Sequence, residues 1–267
     1  FTAYPLVRAF LMSFYEDYNM ISGEYSRIGL GNYKDLFGDK DFTKALRNTS
    51  IYVVFVVPCS IALSLLIAVL LNSNIKFRGL FQTIFFLPYV TSVIAIGLVW
   101  SWIFNSNYGL LNYVLSWFGI AKVQWLNKPK YALPSLIIFS VWKSMAFDIL
   151  IFLAGLQTIP KDLYNAARVD STPRWRVFWK ITVPGIAPMI SYAFIMGFIS
   201  AFKVYNEVFS LWGGKAGPAN SAITVVYYIY DKFYNSHNYG LASAAAVILF
   251  LIILVLTVVQ RMMGKKK

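Results

Sequence analysis

The stretch GLASAAAVILFLIILVLTVVQ, residues 240–260, runs for 21 residues without a charged side chain. An α-helix rises about 1.5 Å per residue and the hydrocarbon core of a membrane is about 30 Å thick, so this length predicts a spanning helix. Outward from it, four more apolar runs are long enough to span, and residues 1–14 look like the end of another. Because the chain starts at Phe1 rather than Met, we expect its beginning to be missing.

We therefore predict an all-α, polytopic membrane protein with six transmembrane helices, the first one truncated, in a single domain over residues 1–267. The six predicted spans lie near residues 1–14, 48–72, 80–105, 132–156, 185–211 and 240–260.

The composition supports a membrane protein and excludes other classes. The 267 residues are 58% hydrophobic and 13% charged, whereas soluble domains are about 25% charged. The net charge of +13 would suggest nucleic acid in a soluble protein, but these charges lie between apolar runs, so we expect no nucleic-acid partner. With one histidine, His237, and one cysteine, Cys59, a zinc or other metal site is not expected. Cys59 is interpreted as a small buried apolar residue.

The distribution of charge between loops predicts the orientation of the spans. Eleven basic and two acidic residues lie in the loops on one side of the predicted spans, at 73–79, 157–184 and 261–267. Ten basic and seven acidic residues lie in the loops on the other side, at 15–47, 106–131 and 212–239. Cytoplasmic loops are enriched in Lys and Arg, so we place the C-terminus in the cytoplasm.

The loop QTIPKDLYNAARVDSTPRWRVFWKITVP, residues 157–184, is predicted to form two short helices joined as an elbow. Pro160 opens the first helix, and Leu163, Ala166, Ala167 and Asp170 share one of its faces. Thr172 is expected to cap the second helix, Pro173 to be its first residue, and Pro184 to end it. The second helix carries an aromatic stripe of Trp175, Phe178 and Trp179.

The elbow holds no nucleophile with a base, no metal cluster and no glycine-rich phosphate loop. Its residues suit a helix that docks into a groove of a partner, and they equally suit a pair of helices that rest on anionic lipid.

A family resemblance favours the docking interpretation. Asn165-Ala166-Ala167, Asp170-Ser171 and Ile181-Thr182-Val183-Pro184 resemble the E-A-A, D-G and I-x-L-P elements in the EAA loop of ABC-importer permeases. Residues 153–170, 202–230 and 239–252 resemble the carbohydrate-uptake branch, so the chain is similar over nearly its whole length to the MalF/UgpA-type sugar permeases. Two departures are Asn165, where the family has Glu, and Ser171, where it has Gly.

The resemblance implies a permease subunit of the bacterial or archaeal cell (inner) membrane that moves a di- or oligosaccharide. It implies a second permease subunit, a dimer of ATP-binding subunits, and an extracellular binding lipoprotein or periplasmic protein that delivers the sugar. ATP and Mg²⁺ belong to the ATP-binding partner, and this chain carries no cofactor of its own. The expected ATPase-coupling residues are Asp162, Asn165, Ala166, Ala167, Asp170, Ser171 and Pro184.

Ionisable residues inside spans are candidate functional residues. They are Arg8, Lys143, Asp148, Lys203 and Glu207. Lys203 and Glu207 are four residues apart and are expected to pair along one helix face. Such residues either pair structurally or line a substrate path, where aromatic faces and polar groups suit a sugar. The residues proposed for the path are Trp142, Asp148, Asn206 and Glu207.

Two further segments leave alternatives open. The small residues Gly240 and Ala244 allow close helix packing, either within this chain or against a second permease. The tyrosine-rich segment 221–240 suits an interfacial anchor, or a contact with a sugar or partner.

Other functions fit less well. Glycerol 3-phosphate remains a rival substrate, because similar permeases carry it. A proton-coupled secondary transporter would use Asp148 or Glu207 as its proton carrier, but no internal duplication is evident. A membrane enzyme would need convergent catalytic groups that the sequence lacks. No Walker A pattern is present, so we do not expect an enzyme.

Overall fold

The structure, a computed structural model, describes residues 3–20, 22–73 and 76–264. In chain order the elements are α1 (Ala3–Met12), β1 (Tyr15–Glu16), β2 (Arg27–Ile28), α2 (Gly31–Gly38), α3 (Lys40–Asn72), α4 (Arg78–Val90), α5 (Val93–Ile103), α6 (Leu110–Trp117), α7 (Pro129–Thr158), α8 (Lys161–Val169), α9 (Arg174–Val177), α10 (Val183–Gly185), α11 (Ala187–Phe202), α12 (Asn206–Leu211), α13 (Val225–Tyr230) and α14 (Tyr239–Gly264). π-Helical segments follow α9 at Phe178–Thr182 and α13 at Asp231–Asn235, and a 3₁₀ turn covers Pro218–Asn220.

In the part of the chain that the structure describes, the fold is helical, as predicted, except for one antiparallel pair of two-residue strands. Tyr15 pairs with Ile28, and Glu16 pairs with Arg27. The side chain of Arg27 donates to the Glu16 carboxylate, which also accepts a hydrogen bond from the backbone N–H of Gly31 at 2.8 Å. These bonds connect the strand pair to the start of α2.

Among the described residues, three helices are long and apolar enough to cross a membrane: Lys40–Asn72, Pro129–Thr158 and Tyr239–Met262. Two further helix pairs, each bent at a short break, raise the number to five if each pair is one span. The several apolar helices support the predicted multi-pass class. Helix α1 has ten residues, which is short for a span. Phe1, Thr2 and Lys265 to Lys267, which enter the predicted first span and the charge balance, lie outside the described residues.

Two of the spans predicted as single helices are interrupted. The segment predicted at 80–105 is divided into α4 and α5, with Thr91 in an extended conformation after Val90. The segment predicted at 185–211 is interrupted at Ile186 and again at residues 203–205. Hydropathy detects apolar length but does not detect where backbone hydrogen bonding stops, so the three breaks were not predicted.

The chain divides into two compact units. The first unit contains residues 1–54, 93–137 and 199–267, and the second contains residues 55–92 and 138–198.

In the first unit, the N-terminal half of α14 packs against α1, α2 and α13. Ala242, Ala244 and Ala245 are buried there, so the small-residue face packs within this chain. A Cβ at Gly240 would lie 2.7 Å from the carbonyl oxygen of Tyr15. The close approach of α14 to the strand pair therefore depends on glycine.

The second unit has a core between the C-terminal halves of α3 and α7. Leu65, Ala68 and Leu71 of α3 are buried with Ile149 and Phe152 of α7. Ile159 and Ile186, which flank the elbow, belong to the same buried cluster. Both ends of the elbow are therefore anchored in the core of this unit.

Candidate functional site

The elbow begins with α8 directly after α7. Pro160 occupies the N-cap position, where a missing N–H costs nothing. Asp162 lies in the first turn and Arg168 in the last, and both charges are favourable for the helix dipole. The first helix of the elbow therefore forms where the sequence predicted it.

Ser171 ends α8 in a left-handed conformation, with φ of +50°. The backbone N–H of Ser171 donates to the carbonyl of Arg168 at 3.2 Å, and that of Thr172 donates to the carbonyl of Ala167 at 2.9 Å. These two bonds form a Schellman motif, in which glycine is the usual left-handed residue. Ser171 makes the turn at the position where the resembling family has glycine.

The second helix of the elbow differs from the prediction at both ends. It begins at Arg174 with Pro173 as the N-cap, so Thr172 is not the cap and Pro173 is not the first helical residue. Pro184 does not end the helix, because α10 continues to Gly185 and the break falls at Ile186.

A π-helical segment precedes Pro184 and accounts for this difference. Proline has no N–H to donate and its ring crowds the preceding turn. The N–H of Val183 instead reaches back five residues to the carbonyl of Phe178. The wider turn carries the helix past Pro184, and the pair Arg174–Gly185 and Ala187–Phe202 is bent by 68°.

The predicted shared face of α8 divides into exposed and buried residues. Leu163, Ala166 and Asp170 are exposed, but Ala167 is only 7% exposed. The hydroxyl groups of Tyr164 and Thr182 lie 3.2 Å apart and join α8 to the π-helical segment. Ala167 is therefore buried, and the outward face is formed by the other three residues. Asp162, Asn165, Ser171 and Pro184 are also exposed.

The aromatic stripe of the second helix also contains both exposed and half-buried side chains. Trp175 and Trp179 are 65% and 63% exposed, and the guanidinium of Arg176 lies 5.6 Å from the ring centre of Trp175. Phe178 is half-buried and packs against the core of the second unit. The elbow thus presents large apolar side chains together with acidic and basic groups, a combination that suits binding to a protein or membrane surface.

Two of the predicted path residues lie in the second unit, on α7. Asp148 is buried and its carboxylate contacts the hydroxyl of Ser60 on α3. The same hydroxyl lies 3.0 Å from the carbonyl of Val57. Trp142 is exposed. Asp148 therefore points at a neighbouring helix, whereas Trp142 presents its ring on the surface.

The other two predicted path residues, Asn206 and Glu207, begin α12 in the first unit. Lys203 lies in the break between α11 and α12, so the helical spacing used to pair it with Glu207 does not hold. Asn206 is exposed and Glu207 is half-buried. The four predicted path residues are thus two pairs in two different units.

An aromatic cluster in the first unit involves the tyrosine-rich segment 221–240, which the sequence left open between an interfacial anchor and a contact with a sugar or partner. None of its residues was named as a site residue. Tyr205 lies in the break before α12, and its ring centre is 4.9 Å from that of Tyr230 on α13. Tyr230 is 5.0 Å from Tyr234. The string VVYYIYDKFY, residues 225–234, was the available signal, but the proximity of Tyr205 is a long-range contact that the pattern does not reveal.

A polar network fixes the segment that carries this cluster. The hydroxyl of Tyr228 donates to the Asp39 carboxylate at 2.7 Å, and the ammonium of Lys232 lies 3.1 Å from the same carboxylate. Burial opposes the charge on Asp39, but hydrogen bonds from Tyr228, the Asp41 N–H and Lys232 outweigh it and lower the pKa of Asp39.

The single cysteine differs from its prediction. Cys59 is exposed on α3 rather than buried, because it lies on an outward face of that helix. Within residues 3–20, 22–73 and 76–264, no group of three or more His, Cys, Asp and Glu side chains is placed to hold a metal ion.

Comparisons with known proteins show the family to which this chain belongs. The family described as "Binding-protein-dependent transport system inner membrane component" matches residues 60–267. The arabinooligosaccharides transport system permease protein AraP of Halalkalibacterium halodurans is 35% identical over 260 residues, which cover 96% of this chain and 80% of that protein. The trehalose/maltose transport system permease protein MalF of Thermococcus litoralis is 32% identical, over 99% of this chain and 88% of its own length.

A solved structure is similar over the full chain. It is the bacterial alginate ABC transporter in complex with an alginate pentasaccharide-bound periplasmic protein, with a TM-score of 0.86 and 25% identity. The match covers 100% of this chain and 89% of the solved chain.

Proposed function

We propose that this chain imports sugar. The chain belongs to the family of binding-protein-dependent transport system inner membrane components, and the proposal starts from that membership. The chain is a transport component and not an enzyme. It is one permease subunit of an ATP-driven ABC importer, and its cargo is a di- or oligosaccharide. The observation that carries the assignment is near-full-length similarity to permeases named for arabino-oligosaccharides and for trehalose and maltose.

The assembly follows from the same similarity. The related solved structure contains a saccharide-bound periplasmic protein, which supports an extracellular binding protein for this chain. The importer would also contain a second permease subunit and two ATP-binding subunits, which would carry ATP and Mg²⁺. This chain would need no cofactor of its own.

The proposed topology treats residues 1–267 as one transmembrane permease domain with six spans. Helix α1 is the end of the first span, and α4 with α5 forms a broken third span. The second half of the elbow leads directly into α11. The loop charges place the elbow and the C-terminus in the cytoplasm.

The elbow is the proposed docking element for the ATP-binding subunit. Its anchoring in the core through Ile159 and Ile186 supports the transmission of force to α7 and α11. Its outward face offers Leu163, Ala166 and Asp170 for the contact. With Asn165 in place of a carboxylate, Asp162 and Asp170 supply the acidic groups of this surface.

We propose as sugar-contacting residues Asn206 and Glu207 in the first unit and, separately, Trp142 and Asp148 in the second. An aromatic ring suits the apolar face of a sugar, and carboxylates and amides suit its hydroxyl groups. The half-buried position of Glu207 supports contact with a passing ligand. Replacement of Glu207 by Gln should reduce uptake and leave assembly of the complex intact.

The test combines purification with transport. After gentle extraction from native membranes, mass spectrometry should find a second permease, an ATPase and a binding protein with this chain. The complex in proteoliposomes should then take up one of maltose, trehalose, lactose or arabinotriose only with ATP and binding protein. Uptake driven by a proton gradient without ATP would contradict the proposal, and uptake of glycerol 3-phosphate alone would replace the sugar.

A further inference from the structure

An open surface cleft of about 330 Å³ in the first unit lies between the break before α12 and the segment that contains α13. We name it the aromatic cleft, and its lining residues are Tyr205, Val226, Ile229, Tyr230, Phe233 and Tyr234. Small-molecule sites begin at about 300 Å³. The cleft is therefore large enough for one small ring system.

The rings of the cleft form a continuous array. Tyr205, Tyr230 and Tyr234 follow one another at centroid distances of 4.9 and 5.0 Å. Phe209 and Tyr227 pack behind Tyr205 at 5.7 and 6.1 Å. Because each ring is held by its neighbours, little side-chain entropy remains to be lost when a ligand binds.

Hydrogen bonds fix the two segments against each other. The hydroxyl of Thr224, the N-cap of α13, donates to the carbonyl of Val204 at 2.9 Å. The hydroxyl of Tyr227 donates to the carbonyl of Gly214 at 2.7 Å. The first bond joins the residue before Tyr205 to the start of the helix that carries Tyr230.

Polar side chains follow the aromatic residues along the chain. Asp231 and Asn235 come directly after Tyr230 and Tyr234, and the Asn235 amide donates to the Asp231 carboxylate at 2.9 Å. A pyranose ring presents an apolar C–H face and an edge of hydroxyl groups, so aromatic faces beside carboxylates and amides match both parts. Asp231 and Asn235 are not among the residues that line the cleft, so the cleft supplies the aromatic faces, which match the apolar C–H face of a sugar ring.

The arrangement differs from an interfacial belt, in which aromatic residues anchor a span at the level of the lipid headgroups. Here the rings come from two elements, the break that carries Tyr205 and the segment that carries Tyr230, and they converge on one cleft. Tyr234 lies on the π-helical segment Asp231–Asn235, and π-helical turns are frequent at functional sites. These features favour a ligand site over a lipid anchor.

We propose that the aromatic cleft is a subsite for one sugar ring during import, with Tyr230 and Tyr234 as the stacking platform. This inference rests on the proposed function and adds residues to the path that were not assigned above.

The first experiment measures uptake by the whole reconstituted importer with its binding protein. The probe is whichever of maltose, trehalose, lactose and arabinotriose the wild-type complex transports. Tyr234→Ala should lower the initial rate about tenfold, which corresponds to about 1.4 kcal/mol. Tyr234→Phe, which keeps the ring, should restore most of it. Tyr113→Ala is the matched control, because Tyr113 on α6 is 59% exposed and Tyr234 is 62% exposed.

The second experiment detects occupancy directly. Cys59 is the single cysteine, so Tyr234→Cys in a Cys59→Ser background places one thiol in the cleft. The transported sugar should slow maleimide labelling of that thiol, and sorbitol should not. This measurement tests whether the sugar occupies the cleft even if the Tyr234→Ala complex fails to assemble.

The outcomes separate two failures. Absence of ATP-dependent uptake of every sugar by the wild-type complex would overturn the proposed function. If the wild type takes up the sugar and Tyr234→Ala is as fast as Tyr113→Ala, the subsite alone is overturned. A maleimide labelling rate that the sugar does not change would overturn it as well.

Discussion

At the scale of single residues, Ser171 adopts a backbone conformation that its side chain disfavours. Its φ of +50° closes the Schellman motif at the end of α8, and a left-handed non-glycine residue costs about 1–2 kcal/mol. Ser171→Gly should remove most of that cost and raise thermal stability by up to about 1 kcal/mol, after the entropy of the added glycine is subtracted. Thermal unfolding of the detergent-solubilised complex measures the change.

Ser171→Ala is the matched control for this prediction, because it keeps the Cβ and removes the hydroxyl. It should give no gain in melting temperature. An equal gain for both variants would show that the hydroxyl, and not the left-handed backbone, is the source of the instability.

Asp39 predicts an effect of pH on stability. Its pKa is lowered in the fold, so its stabilising contribution is complete above the pKa of an unfolded aspartate, about 3.9, and is lost as the pH falls through the lower folded pKa. Asp39→Asn should lower stability at pH 7 by about 1–3 kcal/mol, because Lys232 and Tyr228 lose their charged partner.

The pH dependence distinguishes this network from a simple loss of packing. Unfolding followed between pH 3 and pH 7 should show a smaller loss of stability on acidification in Asp39→Asn than in the wild type. Parallel curves for the two proteins would refute the role of the Asp39 charge.

At the scale of elements, the outward face of α8 is the proposed docking surface. Ala166 is exposed, so Ala166→Trp should fold normally and prevent close approach of the ATPase, with loss of ATP-driven uptake. Ala166→Ser is the small control and should retain uptake. Wild-type uptake in Ala166→Trp would argue for an elbow that rests on lipid. Ala167→Trp is unsuitable, because Ala167 is buried.

The packing of α5 against α12 in the first unit depends on Gly97. A Cβ at Gly97 would overlap the side chain of Ser210, while the Ser210 backbone carbon would remain 3.4 Å away. Gly97→Ala should therefore destabilise the protein by about 1–3 kcal/mol. Adding Ser210→Gly should recover part of this loss, so that the double variant is more stable than Gly97→Ala. Additive losses in thermal unfolding would contradict the close contact.

Local signals in the sequence predicted the elbow better than they predicted its details. Pro160, the first-turn Asp162 and the turn at Ser171 act within a few residues, so the first helix and its end were visible. The π-helical segment before Pro184 was not, because a proline pattern does not show which neighbouring carbonyls rearrange. The burial of Ala167 depends on tertiary contacts of the folded chain, which helical periodicity alone does not reveal.

At the scale of the whole molecule, the lengths of the apolar segments predict a multi-pass helical membrane protein. They do not predict where the helices break or which residues meet in the folded chain. The long helices α3, α7 and α14 fall where hydropathy predicted them. The positions of the breaks at Thr91 and Ile186 depend on backbone hydrogen bonding, and the aromatic cleft depends on contact between residues 205 and 230. Both are properties of the folded chain, so they became visible only in the structure.

The most direct test of the central claim is cross-linking from the elbow in the intact complex. Ala166→Cys in a Cys59→Ser background, labelled with a maleimide–benzophenone reagent, should cross-link to the ATP-binding subunit on illumination. A control thiol at Tyr113→Cys on α6 should not. Cross-links from Ala166→Cys to lipid only, in a complex shown to contain the ATPase, would contradict the account.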